Sequence, residues 1–320
     1  MVRRLVLVLL GLVLSASVVV EVDEQLPTEP AAAGTVEPTL PVHVAARHAA
    51  PPEIPDVPEV TDPLPTSVES RRAFEERYPD QAAARRGDGP GQDHWALLVG
   101  INEHQGPVAD NHVSRQDAER LRELLLDAGW HDERIVLMAD ADATGEMLRE
   151  GLSWLARSAG DDATVLLHYS GHSKKWYGPD GGILDIGLWP TDDDFLHRDE
   201  LAAALTAIPH GRLWGNFATC NAAALHAAGL GDERRVLTYS SRAQEKSYED
   251  PGAGHSVWGS FLLDDVLARP DAGLAVQTAF AQAAPQAHDR TTGQRYGPQT
   301  PVIEDGLDEP FVLEIAAGLG

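Results

Sequence analysis

Val165-Leu166-Leu167-His168-Tyr169-Ser170-Gly171-His172-Ser173 and Leu213-Trp214-Gly215-Asn216-Phe217-Ala218-Thr219-Cys220 are the two stretches on which the fold turns. Each opens on a short apolar run, too short for a helix and stopped by small or polar residues, which is the pattern of a buried strand. The first carries a histidine just past its C-terminal end, and the second carries the only cysteine of the chain. In an open α/β sheet, sites assemble beyond the C-terminal ends of parallel strands. A Cys and a His brought together there make a nucleophile and its base.

Working outward, Trp95 to Ile101 reads as another fully buried strand. Between Ser114 and Gly129 apolar residues recur at helical spacing (Ala118, Leu121, Leu124, Leu125, Ala128), with Ser114 as the cap and Gly129 as the stop. Arg134 to Met138 is a strand, and Thr144 to Ser158 a helix capped by Thr144. A Gly-containing loop is expected from Ser170 to Thr191, then a helix over Asp199 to Ile208. A helix is expected from Asn221 to Ala228, directly after Cys220, and a strand from Arg235 to Tyr239. Helices over Ser256 to Leu267 and Leu274 to Ala284, and a last strand over Pro310 to Ile315, complete the chain. Strands alternating with helices imply right-handed crossovers and a mainly parallel sheet covered on both faces.

The N-terminus reads as a leader. Met1-Val2-Arg3-Arg4 is basic, Leu5 to Val20 is apolar, and Ser15-Ala16-Ser17 suits a signal peptidase. At about 16 residues the run is short for a spanning helix, which needs roughly 20. Residues 1–20 are therefore expected to be a signal peptide or membrane anchor, giving a secreted, extracytoplasmic or anchored protein. Residues 21–91 are rich in Pro, Ala and acids and read as an extended linker or pro-segment, with one short helix between Thr66 and Arg86. Residues 92–320 are expected to form one domain. Twenty-five Lys and Arg against fifty Asp and Glu leave a formal charge of -25. Such a surface repels phosphate backbones and anionic lipid, so nucleic acid is excluded as the main partner and a membrane contact is left to an uncleaved N-terminus.

One cysteine makes no internal disulfide, and a leftover thiol in an exported chain suggests a reactive group; a small buried hydrophobe is the alternative. If a helix begins after Cys220, its first N–H groups favour the thiolate and could hold an oxyanion. His172, following Gly171, is expected at an exposed loop where it can act as base, whereas His168 is expected to be packed or hydrogen-bonded.

The chain resembles the caspase and metacaspase clan, especially bacterial caspase-like proteins. Ala96 to Asn102 looks like the family's opening strand, Asp117-Ala118 resembles the start of its first helix, and Tyr169-Ser170-Gly171-His172 matches its histidine motif. Trp189-Pro190-Thr191-Asp192, Ser241 to Glu249, Gly254 to Trp258 and Gln299-Thr300-Pro301 follow in the family's order. The 48 residues between His172 and Cys220 fit its spacing of roughly 50. The resemblance implies a caspase-like three-layer α-β-α sandwich with a mainly parallel six-stranded sheet. It implies a cysteine endopeptidase with Cys220 as nucleophile, His172 as proton carrier, and the backbone N–H groups of Ser173 and Cys220 as oxyanion hole. Its substrate is a protein or peptide. No metal or other cofactor is expected, and calcium activation, left open, has no mark in this sequence.

Two departures from the family stand out. Ser173 replaces the usual Gly after the His, and Asn221-Ala222-Ala223 replaces the His-Ser-Gly that many relatives carry after the Cys. Members that cut after Arg or Lys carry Asp two residues before the Cys, and those that cut after Asp carry Gln; here the residue is Ala218. Ser247-Tyr248-Glu249 stands where caspases have Ser-Trp-Arg, so Glu249 would turn the first specificity pocket toward basic side chains. A solvated acidic loop is the bland reading of Glu249 and Asp250. Arg85-Arg86, Lys174-Lys175 and Arg234-Arg235 are the dibasic steps open to self-processing. Against the peptidase stands a catalytically inactive caspase-like domain serving as a binding or scaffold module. A metal-dependent hydrolase built on His168 and His172 has no His-Glu-x-x-His spacing to support it.

Overall fold

The computed structural model describes residues 20–21, 66–87, 93–226, 234–269 and 275–313. The leader up to residue 19 and most of the expected linker lie outside the described residues.

Six strands form the central sheet. In chain order they include β1 (His94–Gly100), β2 (Ile135–Ala139) and β3 (Thr164–Ser170). A hairpin of β4 (Ser173–Tyr177) and β5 (Ile183–Leu188), extended by β6 (Leu196–His197), stands apart from that sheet. The chain returns with β7 (Arg212–Ala218) and β8 (Arg235–Tyr239), and β9 (Tyr248–Asp250) pairs with β10 (His255–Ser256) beside it. With β11 (Val302–Asp305), the sheet order is β11-β8-β7-β3-β1-β2, and only β11 is antiparallel. Ser170 lies opposite Ala218 in the β3–β7 ladder, so both strands end at the same level. That register brings the histidine and the cysteine to one rim.

Alternation along the strands fills both faces of the sheet. Leu97, Val99, Leu167 and Tyr169 point into one core with α1 (Val68–Arg77), α4 (Gly145–Ser158) and α5 (Arg198–Ala207). Ala96, Leu98, Leu166 and Trp214 point into the other with α3 (Ser114–Asp127) and α6 (Val276–Thr291). This is the α-β-α sandwich expected from the sequence. A helical run over Val257–Gly259 continues as a π-helix over Ser260–Leu267 against the second core. A short helix, α2 (Pro79–Ala83), follows α1.

Several expectations are corrected. The segment after His172 is a β-hairpin rather than a loop, because Lys174-Lys175-Trp176 and Asp185-Ile186-Gly187 pair across it. Among the described residues the last sheet strand is Val302–Asp305; positions 314 and 315 of the expected Pro310–Ile315 strand lie outside them, and Val312 makes an isolated bridge to Ala275. The folded unit also begins earlier than residue 92. Phe74 and Tyr78 are buried in the first core, and the Phe74 ring sits 6.0 Å from that of Trp154. Phe74 on α1 and Tyr78 at its C-terminal cap dock this helix on the core.

Candidate active site

Cys220 follows β7 on a bend and is partly exposed. The helix expected behind it, Asn221 to Ala228, does not form among the described residues, and its positions 227 and 228 lie outside them. Asn221 adopts a left-handed conformation (φ 56°), and only a short 3-10 turn, Ala222–Leu225, follows. No helix dipole therefore points at the sulfur here; the Ser247 N–H lies 3.4 Å from Sγ. The bend is held from below by Ser240 and Ser241. Thr219 N–H donates to Ser240 Oγ at 3.1 Å, and Ala222 N–H to Ser241 Oγ at 3.1 Å.

His172 is only 7% exposed, so the expected exposed position is corrected to a buried one. The chain turns sharply at Gly171, where an added Cβ would lie 2.9 Å from Tyr169 Oη. That hydroxyl donates to His172 O at 2.7 Å and fixes the turn. His172 Nε2 lies 2.7 Å from Ala109 O. A carbonyl only accepts, so Nε2 carries the proton and Nδ1 is left as the basic nitrogen. The ring is flanked by those of His104, 4.9 Å away, and Trp189, 5.9 Å away. Burial lowers the pKa of His104, against the pull of Asp110 and Asp193, so it is a neutral neighbour.

His168 has the packed role expected of it. Its Nδ1 meets Asn216 Nδ2 at 3.0 Å, and burial pulls its pKa down to about 4. Asn216 Oδ1 also accepts from Trp258 Nε1 and Thr238 Oγ1, making a buried polar row across the sheet.

His172, Cys220, Ser247, Tyr248 and Glu249 line one cleft, together with Asn111, Ser170 and Ala218. Glu249 is 4% exposed, so it is no solvated loop acid. Its Oε1 accepts from His112 N–H at 2.9 Å and Val113 N–H at 3.0 Å. Its Oε2 is buried without a hydrogen-bond partner among the described residues. Burial raises its pKa, against the two amides that favour the charged form. The next residue, Asp250, is paired with Arg290 at 2.8 Å.

Tyr248 is fixed by the C-terminal segment. Its N–H donates to Gln299 Oε1 at 3.0 Å and its hydroxyl to Gly297 O at 2.6 Å.

Asp117 is a residue that the sequence reading passed over as a helix start. It is fully buried behind the cleft and accepts from Ser170 Oγ at 2.9 Å and Ser256 N–H at 3.0 Å. Its signal was available: an acid beside Ala118 and Leu121 on the apolar face of α3 needs a partner. Among the described residues no cluster of His, Cys, Asp or Glu is arranged to hold a metal ion.

The caspase-domain family model matches residues 93–255, half of the chain, and so includes every residue of the cleft lining except Ser256. The chain belongs to the caspase-domain family. This is a family of cysteine-type peptidases. Among curated relatives it is similar to metacaspase-4 of Arabidopsis thaliana, 27% identical over 165 residues, which cover 48% of this chain and 38% of that protein. It is also similar to metacaspase-7 of the same plant, 28% identical over 150 residues, or 44% and 36% of the two chains. The chain thus spans well under half the length of these relatives. A crystal structure of a Geobacter sulfurreducens protein shares the fold at a TM-score of 0.54 and 17% identity, covering 68% of this chain and 94% of that one. The caspase-domain match ends at His255, yet Gln299 and Thr300 also brace the site.

Proposed function

We propose that this chain is an exported cysteine endopeptidase that uses Cys220 and His172 as a dyad and prefers a basic residue before the scissile bond. The observation that carries the reading is the shared cleft: nucleophile, base and a buried acid line one depression. The Cys220 sulfur attacks the substrate carbonyl as its proton passes to His172 Nδ1. The oxyanion is held by the amides of Ser173 and Cys220. His172 gives the proton to the leaving amine, and water then hydrolyses the thioester to free the carboxylate.

The oxyanion assignment is supported by strand register. Trp189 N–H donates to His172 O at 3.1 Å, so antiparallel alternation sets Ser173 and Leu188 at a non-hydrogen-bonded pair. The Ser173 amide is therefore not committed to the hairpin ladder. The substrate backbone has a template in β9, whose edge pairs antiparallel with Val20–Glu21. An extended peptide adds to the same kind of edge by main-chain hydrogen bonds. Glu249 supports the basic preference, since its partnerless Oε2 in the cleft lining suits a guanidinium or ammonium donor. Export rests on the leader of residues 1–20, and the dyad chemistry requires no cofactor.

The test is cleavage of fluorogenic peptides ending in Arg, Lys, Asp or Asn by the full chain beside Cys220→Ala, with and without calcium. Hydrolysis after Arg or Lys that is abolished in Cys220→Ala is expected. Silence of the wild type on every peptide would leave the scaffold reading in its place.

A further inference from the structure

The two amides of the proposed oxyanion hole come from different elements. Ser173 opens the hairpin at β4, and Cys220 sits on the bend after β7. A hole of this kind works only if both donors are held before the charge appears, because the gain comes from avoided reorganisation. One bond joins the two residues directly: Ser173 Oγ donates to Cys220 O at 2.6 Å.

The bend needs such a restraint. Asn221 is in the left-handed region, which asparagine enters more readily than most residues with a Cβ. It persists because its surroundings hold it. Asn221 N–H donates to Glu245 O at 2.7 Å, and Asn221 Nδ2 donates to Ala243 O at 3.0 Å. Glu245 is itself anchored, since its carboxylate accepts from Thr300 N–H at 2.7 Å. These bonds secure the bend on the β8–β9 side. Ser173 Oγ secures the Cys220 peptide on the hairpin side.

We propose that the Ser173 hydroxyl is a positioning group: by clasping the Cys220 carbonyl it locks the hairpin to the nucleophile bend and preorganises both oxyanion donors. The proposal rests on the cysteine peptidase reading. It makes an unintuitive prediction. Glycine at position 173 keeps the amide and matches the usual family residue, yet in this chain it removes the clasp and slows the enzyme.

The experiment compares Ser173→Gly, Ser173→Ala and Ser173→Thr with the wild type. Ser173→Gly and Ser173→Ala are expected to lower kcat about 10–100-fold with KM within about twofold, the mark of an interaction used in the transition state. Ser173→Thr, which retains a hydroxyl, is expected to restore most of the rate. A peptidyl aldehyde ending in Arg forms a tetrahedral adduct that uses the hole, so its Ki should rise in step with the loss of kcat. Alkylation of Cys220 by iodoacetamide does not need the hole and should stay within about twofold. Thermal melting identifies a variant that fails to fold, in which case the Ala and Thr pair carries the comparison. Wild-type rates and aldehyde affinity in folded Ser173→Gly or Ser173→Ala overturn the clasp and leave the peptidase reading intact. A wild type with no Cys220-dependent cleavage overturns that reading and the clasp's catalytic role together.

Discussion

Glu249 carries two opposed effects. Its side chain is buried and its pKa is raised, chiefly by loss of water, so at neutral pH its charge destabilises the folded chain. The sign follows from linkage: a carboxyl whose pKa is higher folded than unfolded favours folding below its unfolded value, and this advantage is lost as pH rises through the folded value. Glu249→Gln is therefore expected to raise Tm at pH 7 by about 2–4 °C, corresponding to roughly 1 kcal/mol. The same variant should lose at least about tenfold of its selectivity for Arg over uncharged peptides, because the counter-charge has gone. A calorimetric scan and paired kcat/KM values check both. A variant less stable and equally selective would assign Glu249 to structure alone. His172 shows the other residue-scale feature, a tautomer set by one carbonyl. The main-chain oxygen of Ala109 sets this tautomer, and no side-chain motif marks it.

At the scale of elements, Asp117 ties α3 to the sheet and to β10. His255 Nδ1 lies 3.2 Å from Asp117 Oδ1, and His255 Nε2 3.1 Å from Asp264. Burial lowers the His255 pKa, but the two carboxylates outweigh this and raise it overall, against a smaller opposing effect of Arg120. The pair thus adds stability that is complete below about pH 6.5 and fades as pH rises through the folded value. Tm measured from pH 5.5 to 8.5 should fall with pH more steeply in the wild type than in His255→Gln. Docking of α1 is a second element-scale contact. Phe74→Ala empties the site between Tyr78 and Trp154 and is expected to cost about 3–5 kcal/mol, read by urea unfolding. A loss below about 1 kcal/mol would mean that α1 is dispensable.

For the whole molecule, the formal charge of -25 acts over distances longer than any one contact. It should draw cationic peptides to the cleft, an effect screened by salt. The kcat/KM for an Arg peptide is expected to fall several-fold between about 0.05 and 0.5 M NaCl while kcat holds steady. A salt-independent kcat/KM would confine electrostatics to Glu249. The fold also ranks the dibasic steps. Arg235 is buried within β8, with Nη2 on Leu205 O at 3.0 Å, and Lys174-Lys175 is paired within β4. Arg85-Arg86 is exposed and outside any helix or strand, the step a protease reaches without unfolding the sheet.

The sandwich, the parallel sheet and the candidacy of His172 and Cys220 were legible in the sequence. They depend on local periodicity and on residue types at strand ends, which a linear chain records. The sequence-derived alternatives for Glu249 were open because a pocket acid and a solvated acid have the same one-dimensional surroundings. Only tertiary packing could decide between them, by burying the side chain against the amides of residues 112 and 113, more than 130 positions away. The hairpin after His172 escaped for a related reason. Its strands are short, one of them carries Gly187, and their pairing with each other is what makes them strands. The Ser173 clasp is of the same kind. A serine where relatives carry glycine reads as a departure, and its bond to Cys220 exists because the parallel register of β3 and β7 ends both strands at one rim.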